Sequence, residues 1–112
     1  MQDVPKFYLD LLNQLFELEK KLGDAAANRA VARPLERIKQ LFEDSLPLPG
    51  SALVTHDPFG EKYTDTRTDV DANIAGTGQG TLRIVETLKP IIYLRNTDGR
   101  NRIVQRGVVI AG

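Results

Sequence analysis

Cysteine is absent from the 112 residues. Disulfides, thiolate nucleophiles and zinc–thiolate centres are therefore excluded. Tryptophan is also missing, and aromatic residues make up only 6% of the chain. The core is correspondingly small. Histidine occurs once, as His56, which removes His-rich metal sites and most imidazole catalysis. No apolar run approaches the roughly 18 residues that a membrane span needs. The opening Met1-Gln2-Asp3-Val4-Pro5 lacks a basic stretch leading into an apolar one, so no secretion signal is expected. A cytoplasmic location is the expectation, and missing cysteine is compatible with it. An excess of one charge sign is lacking too, because 15 bases face 15 acids. A near-neutral chain is not a general nucleic-acid binder.

What is present is an ordinary globular composition, 41% hydrophobic and 27% charged. The length predicts one domain or two very small modules. Such a chain buries only about two-thirds of its unfolded surface, so a subunit partner would add stability. The charges are unevenly placed. Residues 81–112 hold two acids and six bases, net +4, a local patch that could meet an acidic protein surface.

Two regimes meet near Pro47. Before it, Gly23 is the only glycine and apolar residues recur at helical spacing; after it come eight glycines and period-two segments. The expected fold class is α+β, a helical hairpin over residues 1–49 followed by a small β-domain over 50–112. Helix one is predicted from Lys6 to Leu22. Tyr8, Leu11, Leu15, Leu18 and Leu22 alternate at spacings of three and four, an a/d seam. Leu9, Leu12 and Phe16 widen the stripe, which suits a helix touching two or more neighbours. Lys20 and Lys21 complement the C-terminal dipole, and Gly23 can supply the left-handed cap. Helix two is clearest from Pro34 to about Leu46, with Leu35, Ile38, Leu41, Phe42 and Leu46 on its apolar face. Pro34 either kinks a longer helix or begins a shorter one. Pro47 and Pro49 end all helix.

Strands are predicted at Ala52–His56, Thr68–Ile74, Thr81–Leu88, Ile91–Arg95 and Arg102–Ala111. Asp57-Pro58-Phe59-Gly60 reads as a turn and Thr97-Asp98-Gly99 as a hairpin tip.

Four groupings could carry chemistry. Gly76-Thr77-Gly78-Gln79-Gly80 looks like a phosphate cradle, but a strand follows it rather than a helix N-terminus, so a mobile hairpin loop is expected. Asp69, Asp71 and Asn73 alternate like calcium ligands, yet Ile74 stands where the loop needs glycine and no Glu closes it. They read as one solvated strand face. His56 beside Asp57 could be an acid–base pair, but adjacent strand residues point to opposite faces. A strand-end histidine before a turn is the reading preferred. No catalytic residue, metal site or cofactor is expected. Arg95, Arg100, Arg102 and Arg106 flank the hairpin tip. They are either a solvated edge or a docking patch, since Arg is enriched at interface hot spots. Only Tyr93 offers a stacking ring nearby, which disfavours RNA.

The order of elements, with two sequence runs, resembles the GrpE family, nucleotide exchange factors of Hsp70 (DnaK) chaperones. Pro34-Leu-Glu-Arg-Ile-Lys-Gln-Leu-Phe-Glu-Asp44 leads into Gly50-Ser-Ala-Leu-Val-Thr-His-Asp-Pro-Phe-Gly-Glu-Lys-Tyr63. That is similar to the family's helix, strand and Asp-Pro-x-Gly-Glu-x-Phe/Tyr turn. Ile84-Val-Glu-Thr-Leu-Lys-Pro90 and Arg102-Ile-Val-Gln-Arg-Gly-Val-Val-Ile-Ala111 are similar to its later strands. The likeness spans about residues 6–111. It departs where the family has Asn-Leu-His-Glu-Ala-Val and this chain has Thr66-Arg-Thr-Asp-Val-Asp71. The family's second closing Arg falls on Gln105, with Arg106 one place later. The long stalk has no counterpart before the first helix, so a short form is expected.

The resemblance implies a homodimer in which two helical hairpins form a four-helix bundle, with Tyr8, Leu11, Leu12, Leu15, Phe16 and Leu18 as its interface. It implies a β-domain that docks on an Hsp70 nucleotide-binding domain and promotes ADP release. The partner-binding candidates around the last hairpin are Arg100, Arg102, Arg106 and Tyr93, with Arg102 leading because it matches the Arg that begins the family's final strand. The alternative is a dimeric interaction or scaffold module of the same fold without exchange activity.

Overall fold

The computed structural model describes residues 4–22, 29–44, 52–77, 80–96 and 98–112. These form an α+β chain of two helices and a region of short strands. In order they are α1 (Lys6–Leu22), α2 (Arg29–Asp44), β1 (Ala52–His56), β2 (Lys62–Tyr63), β3 (Val70–Ile74), β4 (Leu82–Lys89), β5 (Ile91–Arg95), β6 (Asn101–Gln105) and β7 (Gly107–Ala111). The expected cap at Gly23, the break at Pro47–Gly50, the hairpin residue Thr97 and the loop residues Gly78 and Gln79 lie outside the described residues.

Helix α1 begins where Tyr8 N donates to Pro5 O at 3.0 Å, and Lys20 and Lys21 occupy its last turn. Helix α2 runs through Pro34 rather than starting at it. Pro34 falls early in the helix and is exposed. The lost N–H and the ring contact with the preceding turn weaken the ladder there without ending it. Leu12 and Leu15 of α1 and Leu35 and Phe42 of α2 are buried. The Tyr8 ring meets Phe42 edge-on at 6.0 Å, and Lys39 Nζ lies 3.4 Å from Glu19 Oε2.

The strands form two sheets, ordered β1-β5-β6 and β2-β4-β7-β3. The segment from Arg102 to Ala111, expected as one strand, is two. Arg106 separates β6 from β7, and the two belong to different sheets. A Cβ on Gly107 would stand 2.9 Å from Ile91 Cγ1 and 3.4 Å from Lys89 O. Only glycine lets the chain pass that close. Strand β7 then lies antiparallel to β4 and parallel to β3. The hairpin expected between β3 and β4 is not formed, because β7 lies between them. Two residues of β2 were not expected from the sequence; they pair with Leu82 and Arg83.

Strand β4 carries two irregularities, between Ile84 and Glu86 and between Thr87 and Lys89. Each inserts one residue, Val85 and Leu88. Burial accordingly recurs every third residue, at Ile84, Thr87 and Pro90, and both inserted apolar residues are exposed.

The chain divides into two compact units, Met1–Val54 with Leu94–Arg102, and Thr55–Tyr93 with Ile103–Gly112. The second is centred on Val70, Ile84, Ile91 and Val109, with Tyr63, Ala72, Tyr93 and Ile103 packed against them.

Candidate functional site

The β5–β6 connection is flanked by three arginines, of which Arg95 and Arg100 are exposed and Arg102 is half-buried. Strand β5 ends on Arg95, and the chain reverses over residues 96–100. Asn96 N donates to Arg100 O and Gly99 N donates to Asn96 O, both at 2.9 Å. Gly99 has φ 82°, a left-handed conformation in which a side chain would be strained. Asp98 accepts from Arg100 N through Oδ1 at 2.9 Å, an Asx-type contact that ties the tip together. The short reversal thus has an internal reason for its shape, and it presents Arg100 outward.

The four expected partner-binding residues meet different fates. The Arg100 side chain is 86% exposed, and its Nε is 3.8 Å from Asp98 Oδ2. So loose a pair in water holds little energy and leaves the guanidinium available to another carboxylate. Arg102 is half-buried on β6. Arg106 is exposed but engaged: its Nη2 donates to Val70 O at 2.9 Å and lies 2.9 Å from Asp71 Oδ1. Tyr93 is half-buried on β5 and packs on the second unit's core. Burial pushes its hydroxyl pKa up, and the charge of Asp69 adds to the effect. The tip therefore brings Arg95, Arg100 and Arg102 into one stretch of hairpin, while Arg106 braces β3 and Tyr93 is chiefly a packing residue.

A second surface lies on α1. Leu11 is 37% exposed and Leu18 49%. Leu12 and Leu15 are buried, and Tyr8 and Phe16 half-buried. The six residues expected at one interface thus occupy two faces. Phe7, 68% exposed, was not among them. Phe7, Leu11, Gln14 and Leu18 follow spacings of four, three and four, a seam as regular as the one through Leu15. It lies about 100° around the axis from the buried face, since each residue advances the helix by roughly that angle. The signal was present in the sequence. Two overlapping seams on one short helix cannot be ranked until one of them is covered.

The other sequence candidates find structural partners. His56 Nε2 lies 2.5 Å from Glu61 Oε2, not on Asp57; Asp57 Oδ1 instead accepts from Phe59 N at 3.0 Å. Asp69, expected on a solvated face, accepts from Arg67 Nε and Nη2 at 2.9 and 2.8 Å. That bidentate bond holds its carboxyl below the ordinary carboxylate range, with partial burial opposing. The same bond raises Arg67, whose Nη2 also reaches Glu61 Oε1 at 3.2 Å. Among the described residues no group of three or more His, Asp or Glu is placed to hold a metal ion. No described helix is long and apolar enough to cross a membrane.

No family model, curated protein or solved structure matches the chain.

Proposed function

We propose that the chain is a GrpE-like nucleotide exchange factor, acting as a homodimer on an Hsp70-type ATPase domain in the cytoplasm. The observation that carries this reading is the order and character of the parts. Two amphipathic helices, one with a second apolar face left exposed, precede a short-stranded region whose β5–β6 tip holds up Arg100. The turn at the heart of the sequence resemblance is also well built. Gly60 has φ 85°, Glu61 N donates to Pro58 O at 3.0 Å, and Gly60 N donates to Ile84 O at 2.8 Å.

Such a factor needs no catalytic group. It accelerates ADP release only by binding the open, nucleotide-poor state of its partner more tightly than the closed one. Linkage then requires nucleotide to weaken the factor's own binding. Reversing a 99:1 preference for the closed state takes roughly 5.5 kcal/mol of differential affinity. An exposed Arg100 pairing bidentately with a carboxylate, supported by Arg102, is one source of it.

The test is release of a fluorescent ADP from a candidate Hsp70 nucleotide-binding domain, with and without the protein. Acceleration that saturates with concentration, and is reversed by excess ATP through loss of the complex, supports the reading. Binding without acceleration selects the scaffold module of the same fold instead. Neither binding nor acceleration with any Hsp70 of the same cell would sink the exchange-factor reading.

A further inference from the structure

Strand β3 ends the four-stranded sheet, and among the described residues no strand lies beyond it. Its parallel register with β7 runs from Val70 to Ile74 without an irregularity. Gly107 N donates to Asp69 O at 2.9 Å, and Ala75 N donates to Ala111 O at 2.8 Å. In a ladder the residues that bond one neighbour alternate with those that face away from it. Positions 69, 71, 73 and 75 therefore serve β7. The N–H and C=O groups of Val70, Ala72 and Ile74 face the open edge.

Arg106 occupies one end of that edge. Its Nη2 donates to Val70 O at 2.9 Å and lies 2.9 Å from Asp71 Oδ1. Charged side chains laid along an edge are a usual protection against further pairing. Here the protection stops at Asp71. Ala72, Asn73 and Ile74 bring no charge, proline or bulge, and Ile74 is 45% exposed. Gly76, with φ 77°, begins a turn beyond them.

The open stretch is complementary to itself. Two copies can lie antiparallel in only a few registers, because edge-facing residues must meet edge-facing residues. Centred on Asp71, two carboxylates stand directly opposite each other, which is unfavourable. Centred on Ala72, Ile74 of each copy needs the Val70 carbonyl that Arg106 holds. Centred on Ile74, that residue alone finds an edge-facing strand residue across the seam. Centred on Asn73, Ala72 of each copy faces Ile74 of the other, and each of these two pairs exchanges two hydrogen bonds. Apolar side chains then meet across the seam, the Asn73 amides face each other, and Asp71 stands opposite the uncharged Ala75.

We propose that the β3 edge is a self-association site, at which a second copy of the chain pairs antiparallel about Asn73 and joins two four-stranded sheets into one. The same residues serve both copies, as a two-fold contact requires. The site takes no residue from the α1 seam. A single short strand buries little area, so the association is weak. Oxidative trapping reads such a contact, whereas light scattering of dilute protein does not.

The test exploits the absence of cysteine, because a single introduced thiol can link only to its own copy. Asn73 is exposed. In this register its Cβ lies about 4.5 Å from that of the second copy, a spacing from which a disulfide closes. Asp71 is four residue steps from its counterpart, about 13 Å, and Ile74 two steps, about 7 Å. Under oxidised glutathione, Asn73→Cys should therefore form the linked dimer at least about tenfold faster than Asp71→Cys or Ile74→Cys. The advantage should persist when Leu18→Glu is added. It should fall to the level of the other positions when Ile74→Lys puts a charge on the open edge. All these sites are exposed, and far-UV circular dichroism of each variant should match wild type. Equal rates at the three positions overturn the pairing, and fastest linkage at Asp71 or Ile74 overturns its register. A rate at Asn73 that ignores Ile74→Lys removes the edge as its cause, and one lost with Leu18→Glu assigns the contact to the α1 seam.

Discussion

Gly107 shows how much a single missing side chain can decide. A methyl group there would press on Ile91 Cγ1 at 2.9 Å, with Val70 Cγ1 at 3.3 Å and the Lys89 carbonyl at 3.4 Å. Ile91 and Val70 belong to the central core cluster, so neither can swing aside without opening a gap. Gly107→Ala should therefore destabilise the protein by about 1–3 kcal/mol, the usual range for overpacking. It should lower the urea midpoint without changing the slope. A midpoint at or above wild type would show that the close approach is relieved elsewhere. At the same scale, Asp69 makes stability depend on acid. Its folded carboxyl lies below the ordinary value because Arg67 hydrogen-bonds the charged form. The contribution is thus complete above the unfolded value and is lost as pH falls through the depressed folded one. Asp69→Asn should cost about 1 kcal/mol at neutral pH, a partly exposed charge-assisted pair. It should also flatten the fall in stability below about pH 4. A variant whose acid unfolding curve keeps the wild-type shape would place the acid sensitivity on another carboxylate.

On the scale of elements, α1 is one helix with two apolar faces, and substitutions on them should differ in kind. Leu15 is 5% exposed. A carboxylate there is buried without a partner, so Leu15→Glu should unfold the hairpin itself, at a cost of about 3 kcal/mol or more. Leu18 is half-exposed on the other seam. Leu18→Glu should leave far-UV circular dichroism and melting largely unchanged, yet convert the proposed dimer to a monomer in light scattering. A wild-type mass already at the monomer value, or a dimer that survives Leu18→Glu, removes that seam as the interface. Strand β4 makes the complementary point about sheets. Its two inserted residues turn an alternating pattern into one of period three, which sends Val85 and Leu88 outward and keeps Ile84 and Thr87 in.

For the whole molecule, the proposed exchange activity assigns the energy of docking to the exposed hairpin rather than to the core. Arg100 is the sharpest probe, because its side chain is 86% exposed and its own ion pair is long. Arg100→Ala should keep the melting temperature and the oligomeric mass of wild type. It should weaken binding to the Hsp70 nucleotide-binding domain by about 2 kcal/mol if Arg100 is a hot spot, and slow ADP release in proportion. Arg106→Ala should act differently. It releases Val70 O and Asp71 from their shared guanidinium, so its first effect should be a loss of stability. Titration calorimetry beside thermal melting separates the two. Binding that follows Arg106 rather than Arg100 would move the docking surface away from the tip.

Much of this protein was legible in local pattern. The bounds of α1, β1 and β5 follow from apolar spacing, which records which side of an element faces inward. The turns at Asp57–Gly60 and around Gly99 follow from residues that set or free backbone dihedrals. What local pattern could not contain are the choices made between distant segments. The run from Arg102 to Ala111 is rich in Ile and Val whether one strand or two lie beneath it. The break at Arg106 exists because β6 and β7 belong to different sheets and Gly107 must pass against Ile91. Strand geometry already argued in the sequence that His56 turns away from Asp57, but nothing local showed that the reversal of the turn brings Glu61 to the ring. Asp69 reads as solvated until the bend before β3 folds Arg67 onto it. Likewise, which seam of α1 is covered was decided only by tertiary packing, which buries Leu12 and Leu15 and brings Phe42 of α2 against Tyr8. Spacing determines which residues can share a face, whereas the partner that the chain folds back onto that face decides which of them are buried, paired or left exposed.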